Sequence, residues 1–287
     1  MFARVKYFPV VLALAAVAWA GGPEFERARK LYTMTDFEGS LRILEAIPAK
    51  DAAVYELIGR NYFMKGEYKK ASEILEKAVA GDPTNSELAL WAGRAFGRRA
   101  ETSSPFTAPG YASRTRQYFE KAVQLNPKNL EALTDLFEYY LEAPGFLGGG
   151  HDKAAATAAR ISALDAGEGF WCEARLDENR KELPGAEQHL RQALAASPRQ
   201  IGRFIDLARF LARHGRVQES DDAFARAAEV SPTSPRLMFA RADVYIKSNR
   251  RLDEAKMLLR QYLASSITPD DPPRSQAERL LKQLQGG

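Results

Sequence analysis

The chain has 287 residues, 45% hydrophobic and 27% charged, an ordinary balance for a soluble globular protein with a sizeable core. Its single cysteine, Cys172, excludes an intramolecular disulfide framework and reads as a small buried apolar residue. The net charge of +4 falls to +2 without the two N-terminal cations Arg4 and Lys6, and no polybasic run or basic-aromatic strip suggests a nucleic-acid binder. Alanine, leucine, glutamate and arginine dominate while β-branched residues are sparse, which favours helix.

The first element is a leader. Arg4 and Lys6 form a basic start, Tyr7 to Val17 an apolar stretch and Ala18-Trp19-Ala20 a small-x-small site, the layout of a secretory signal peptide over residues 1–20. The apolar run is short of the ~20 residues of a membrane span. An uncleaved anchor is the alternative. No further apolar span occurs, so the mature chain is expected outside the cytoplasm, in a bacterial periplasm.

Helical units follow. The segments "AVYELIGRNYFMKGEYKKASEILEKAVAGDP", ending at Pro83, and "GRFIDLARFLARHGRVQESDDAFARAAEVSP", ending at Pro232, align without gaps. Large and small residues recur at spacings of three to four, one apolar face per helix. Gly59, Ala71 and Ala78 let paired helices approach. Gly66 and Gly215 turn the chain, and Pro83, Pro127, Pro198 and Pro232 end the second helices. The units lie near 24–48, 52–85, 86–129, 130–165, 167–200, 201–234 and 235–265. The third holds about ten extra residues around "RRAETSSPFTAPG", read as a polar loop. A last helix over 271–285, with Asp271 as cap and Pro272 in its first turn, closes the array with an apolar stripe of Ala277, Leu280, Leu281 and Leu284. A partner-binding helix is the other reading of this tail.

The stretch "EAPGFLGGGHDKA" places Gly145 and Gly150 like the glycines of a P-loop, but His151 and Asp152 stand where Lys and Ser/Thr are needed. It also follows a helix, Leu130 to Glu142, rather than a strand. It reads as an enlarged, loose turn. Pro144 stops one helix, Gly148, Gly149 and Gly150 permit positive φ, and Asp152 or His151 caps the next. Apolar Phe146 and Leu147 leave open a loop that touches a ligand.

The pattern resembles the tetratricopeptide repeat, a helix-turn-helix of ~34 residues, over nearly the whole chain after the leader. The resemblance implies an all-α right-handed solenoid of about seven repeats plus a capping helix, with each first helix on the concave face. Positions two, five, nine and twelve of each unit then point into the groove. The fifth positions are Glu56, Leu90, Thr134, Trp171, Ile205 and Phe239. The ninth are Arg60, Arg94, Glu138, Arg175, Arg209 and Asp243. The lysine and asparagine of a chaperone-tail carboxylate clamp are absent at Glu56 and Arg60.

His151, His189 and His214 lack zinc-ligand spacing, there is no G-x-S-x-G, and the acidic pairs Asp221-Asp222 and Asp270-Asp271 read as solvated or capping groups. No enzyme, cofactor or metal is therefore expected. The expected function is a non-catalytic scaffold that binds a partner protein or peptide, with an acidic segment on Arg60, Arg94, Arg175 and Arg209 beside Trp171 and Phe239. The alternative is a small-molecule recognition or carrier module of the cell envelope.

Overall fold

A computed structural model describes residues 22–285, so the leader lies outside the described residues. Among these there are fifteen α-helices, one 3-10 turn and no strand. The helices run in antiparallel pairs: α1 (Pro23–Thr33) with α2 (Phe37–Ala46), α3 (Ala52–Met64) with α4 (Tyr68–Gly81), and α5 (Ser86–Glu101) with α6 (Ala108–Leu125). They continue with α7 (Leu130–Glu142) and α8 (His151–Leu164), α9 (Ala166–Arg180) and α10 (Leu183–Ala196), α11 (Ile201–Arg213) and α12 (Val217–Val230), and α13 (Pro235–Lys247) and α14 (Leu252–Ala264). The single helix α15 (Arg274–Gln285) packs on α14.

Local chemistry sets the boundaries. Asp51, Asn129 and Asp165 accept from backbone N–H groups of the first turns of α3, α7 and α9, at 2.9, 3.0 and 2.7 Å. Each of Pro83, Pro127, Pro198 and Pro232 stands just beyond the second helix of a pair. Within pairs, small residues admit large ones. A Cβ at Gly59 would lie 2.5 Å from Cγ of Leu75, and one at Gly93 would lie 2.5 Å from the Phe119 ring.

Buried apolar residues form a succession of clusters along the chain rather than one core. That is the mark of a solenoid, in which each unit is stabilised by its neighbours. First helices touch across repeats, α3 with α5, α5 with α7, α7 with α9 and α11 with α13.

Three local expectations are corrected. The extra residues of the third unit are mostly helix: α5 runs on to Glu101, α6 starts at Ala108, and only Thr102–Thr107 is irregular. The helix after the glycine stretch has Gly150 at its N-cap with no side-chain cap, so neither Asp152 nor His151 caps it. Asp271 caps no helix either. Its carboxylate accepts from the Thr268 N–H at 2.9 Å, closing a turn before α15 begins at Arg274.

Candidate functional site

A cleft of about 690 Å³ lies over the first helices of the middle repeats. Its floor is built from α5, α7 and α9, with Arg94, Asp135, Glu138 and Trp171 turned into it. Its walls come from both insertions: Ala112 and Thr115 on the extended start of α6, and Pro144 and Leu147 in the glycine turn. The turn is locked. Tyr139 donates its hydroxyl to the Leu147 carbonyl at 2.9 Å, the Gly150 N–H donates to Tyr140 at 2.8 Å, and Lys153 Nζ donates to Gly148 at 2.9 Å. A Cβ on Gly149 would lie 1.8 Å from the Ala143 carbonyl oxygen, so the enlarged turn is close-packed rather than loose. Each insertion carries one phenylalanine out into solvent, Phe106 at 94% and Phe146 at 82% exposure.

The arginines predicted for the groove meet acids on their own and on neighbouring first helices. Arg60 lies 2.5 Å from Glu56 and 3.8 Å from Glu87. Arg94 reaches Asp135 at 2.5 Å and Glu131 at 2.9 Å. Arg175 reaches back to Glu142 at 2.8 Å and Glu138 at 3.2 Å, and lies 3.6 Å from Glu178. Burial pushes the Asp135 and Glu138 carboxyls above their usual range, against the pull of Arg94 and Arg175. Arg209 is the exception, with no carboxylate within ion-pair distance among the described residues.

A second cavity, about 720 Å³, lies where the two ends of the solenoid face each other. Phe63 and Trp91 border it on one side, Arg209 and Phe239 on the other, and Pro269–Pro273 complete it. Arg94 and Trp171 thus border the cleft, Arg94, Arg209 and Phe239 border this chamber, and Arg60 and Arg175 border neither. Phe239 is 3% exposed and belongs mainly to the terminal core.

Trp91 escaped the positional reading because it follows a fifth position, Leu90, which is itself fully buried. Its ring has Arg60 at 4.3 Å and Arg94 at 5.1 Å from the centroid, and Phe63 edge-on at 5.5 Å. Among the described residues no cluster of three or more potential ligands could hold a metal, and no helix is long and apolar enough to cross a membrane.

The tetratricopeptide repeat family pattern matches residues 52–85, the α3–α4 pair. The other pairs repeat its geometry. The α3–α4 pair is a tetratricopeptide repeat, set in an all-helical solenoid of such pairs. Two of the similar solved structures show the fold. One is a tetratricopeptide repeat protein from Parabacteroides merdae, with 14% identity over 91% of this chain and 97% of that one, TM-score 0.57. The other is a thermophilic tetratricopeptide-repeat protein from Thermus thermophilus, with 19% identity over 66% of this chain and 97% of that one, TM-score 0.54. At these identities the likeness concerns the fold. No curated protein sequence matches the chain. Tetratricopeptide-repeat folds generally mediate protein–protein interaction as non-catalytic scaffolds.

Proposed function

We propose that this protein is a non-catalytic scaffold that holds an extended segment of a partner polypeptide in its concave groove. It does so on the exported side of a bacterial envelope, in keeping with the leader composition. The supporting observation is the cleft between α5, α7 and α9. Both insertions of the array border it, and both expose a phenylalanine. Neither phenylalanine lines the cleft itself, but each stands on a segment that borders it, and exposed aromatics supply contact area to a peptide at low entropic cost. The groove arginines support the solenoid first: their pairs with Glu131, Asp135, Glu138 and Glu142 tie successive first helices together.

Photo-crosslinking tests the reading. A benzoylphenylalanine at position 146 should give a polypeptide adduct in the producing cell, and one at Ala159, exposed on the outer helix α8, should not. Equal adducts at both positions, or none at 146, would reject it. The cleft volume also falls in the range of small-molecule sites, which keeps the carrier alternative in play. A small-molecule adduct at 146 would decide for that alternative.

A further inference from the structure

Two of the groove arginines meet acids at the same places on the next first helix, Glu87 opposite Arg60 and Glu131 and Asp135 opposite Arg94, while Arg175 uses Glu138 and Glu142 of the preceding one. In the same register, the residues opposite Arg209 on α13 are Arg236 and Ala240. A second cation therefore stands where the pattern elsewhere supplies an anion. Neither Arg209 nor Arg236 has a carboxylate within 4 Å among the described residues. Asp206 on α11 lies within electrostatic range of both, but its ion pair, at 3.7 Å, is with Arg203. Arg279, exposed on α15, is a third cation without an ion pair among the described residues. All three border the chamber.

The rest of the lining points the same way. The other cations, Lys65, Arg94 and Arg98, are already paired with acids. The only acids are Asp270 and Asp271. Asp271 is held in its turn by Thr268, and neither acid forms an ion pair with Arg209, Arg236 or Arg279 among the described residues. The wall that carries them is fixed. Tyr262 donates its hydroxyl to the Pro272 carbonyl, Arg274 donates to the Ser265 carbonyl at 2.8 Å, and Ile267 is buried. The cleft has the opposite balance, with Glu101, Asp135, Glu138 and Glu142 against Arg94 and Arg98. The two cavities share Phe63, Arg94 and Arg98, so one extended chain can run through both.

We propose that the chamber is the anion-binding end of the groove. It receives a carboxylate-bearing segment of the partner polypeptide, with acidic side chains on Arg209, Arg236 and Arg279 and apolar neighbours on Phe63 and Trp91. This rests on the partner-segment reading and gives that segment a direction, acidic end in the chamber. Arginine suits the role because its planar fork matches a carboxylate. Three cations with no carboxylate within 4 Å have no ion pair that a ligand must first break, unlike Arg60, Arg94 and Arg175.

The test uses the full chain and two dye-labelled ten-residue peptides that share a Leu-Phe-Leu core, one flanked by glutamates and the other by lysines. Fluorescence anisotropy should show the glutamate peptide binding more tightly by about tenfold or more, with affinity falling as salt rises. Combining Arg209→Gln, Arg236→Gln and Arg279→Gln should cost that peptide about tenfold or more, at about one charge-assisted contact's worth. Arg236→Gln and Arg279→Gln alone lie at exposed positions, and each should give a partial loss with an unchanged melting temperature. Arg175→Gln should leave the peptide's affinity unchanged. No preference for the glutamate peptide, or equal binding by the triple variant, would overturn the assignment. If that happens while position 146 still crosslinks a polypeptide, the scaffold reading stands and only the anionic end is lost. If position 146 fails while the glutamate peptide binds through the three arginines, the chamber stands and the cleft reading is lost.

Discussion

Two of the turns that join first to second helices through glycine use it for different physical reasons. Between α3 and α4, Gly66 sits at φ +76° with nothing within 4 Å of where a Cβ would be. Its N–H donates to Phe63 at 2.9 Å and the next N–H, of Glu67, donates to Tyr62 at 2.9 Å, the double closure of a helix C-terminus by a left-handed residue. Between α7 and α8, Gly149 is not in the left-handed region at all. It is glycine because the Ala143 carbonyl occupies the space a side chain needs. The first turn needs a dihedral angle. The second needs an absence of atoms, and it gains a wall of the cleft. Corresponding turns confirm that the dihedral requirement is mild: Thr35, Lys181 and Asn249 adopt it at φ +60°, +65° and +48° without being glycine.

The largest break in the comparison should come from Gly149→Ala. Its Cβ would meet backbone, which moves only if the whole turn is rebuilt, so a loss of about 3 kcal/mol is expected. Urea unfolding measures it, and a midpoint within error of the parent protein would mean the turn is as loose as its composition suggests. Next comes Gly59→Ala, where the clash is with the Leu75 side chain. A leucine can change rotamer at a packing cost, so about 2 kcal/mol is expected by the same measurement. A loss larger than that of Gly149→Ala would reverse the ranking of backbone over side-chain obstruction. Gly66→Ala should cost only about 1 kcal/mol, the penalty of a left-handed residue with a Cβ in open space. Gly66→Asn should recover part of that loss, since asparagine visits this region more readily. Equal losses for Ala and Asn would show that the dihedral is not what the position selects.

The contrast also marks how far the sequence was legible. The all-helical solenoid could be read from Gly59, Ala71 and Ala78 at helical spacing and from prolines closing second helices, because these act through local sterics. The tightness of the 144–150 turn could not, because it depends on where the Ala143 carbonyl points after Pro144 ends α7. Composition alone makes three successive glycines look like slack. The groove positions were legible as places, through the periodicity of the first helices. The charge state of the groove was not, since Arg94 finds Glu131 and Asp135, and Arg175 finds Glu138 and Glu142, only across the stacked repeats. One trace was present in the letters: Arg236 and Ala240 stand in the register where Glu131 and Asp135 stand in the fourth unit, and that exchange leaves Arg209 without an acid.

The smallest effect sharpens the same comparison through charge. The Gly66 turn is ringed by an exposed network: Lys65 lies 3.0 Å from Glu38 and 3.5 Å from Glu67, and Lys70 lies 2.5 Å from Glu67. Hydrogen bonds from Lys65 and Lys70 hold the Glu38 and Glu67 carboxyls below their usual range, and the same contact with Glu38 raises Lys65. A depressed carboxyl stabilises the fold above its unfolded pKa, about 4.3 for glutamate, and loses that contribution as pH falls through the folded value. The raised Lys65 works in the other direction, contributing below its unfolded pKa and losing that contribution as pH rises through the folded one. Together they predict a stabilising contribution across neutral pH that fades toward both acid and strong alkali. Solvent screening keeps it to about a few tenths of a kcal/mol. Lys65→Met should therefore lower stability by about that much at pH 7, and the difference from the parent protein should vanish near pH 3 and shrink with added salt. Paired urea titrations at pH 7 and pH 3 check it. A difference that persists unchanged at pH 3 would assign the effect of Lys65 to the packing of its methylene stem rather than to its charge.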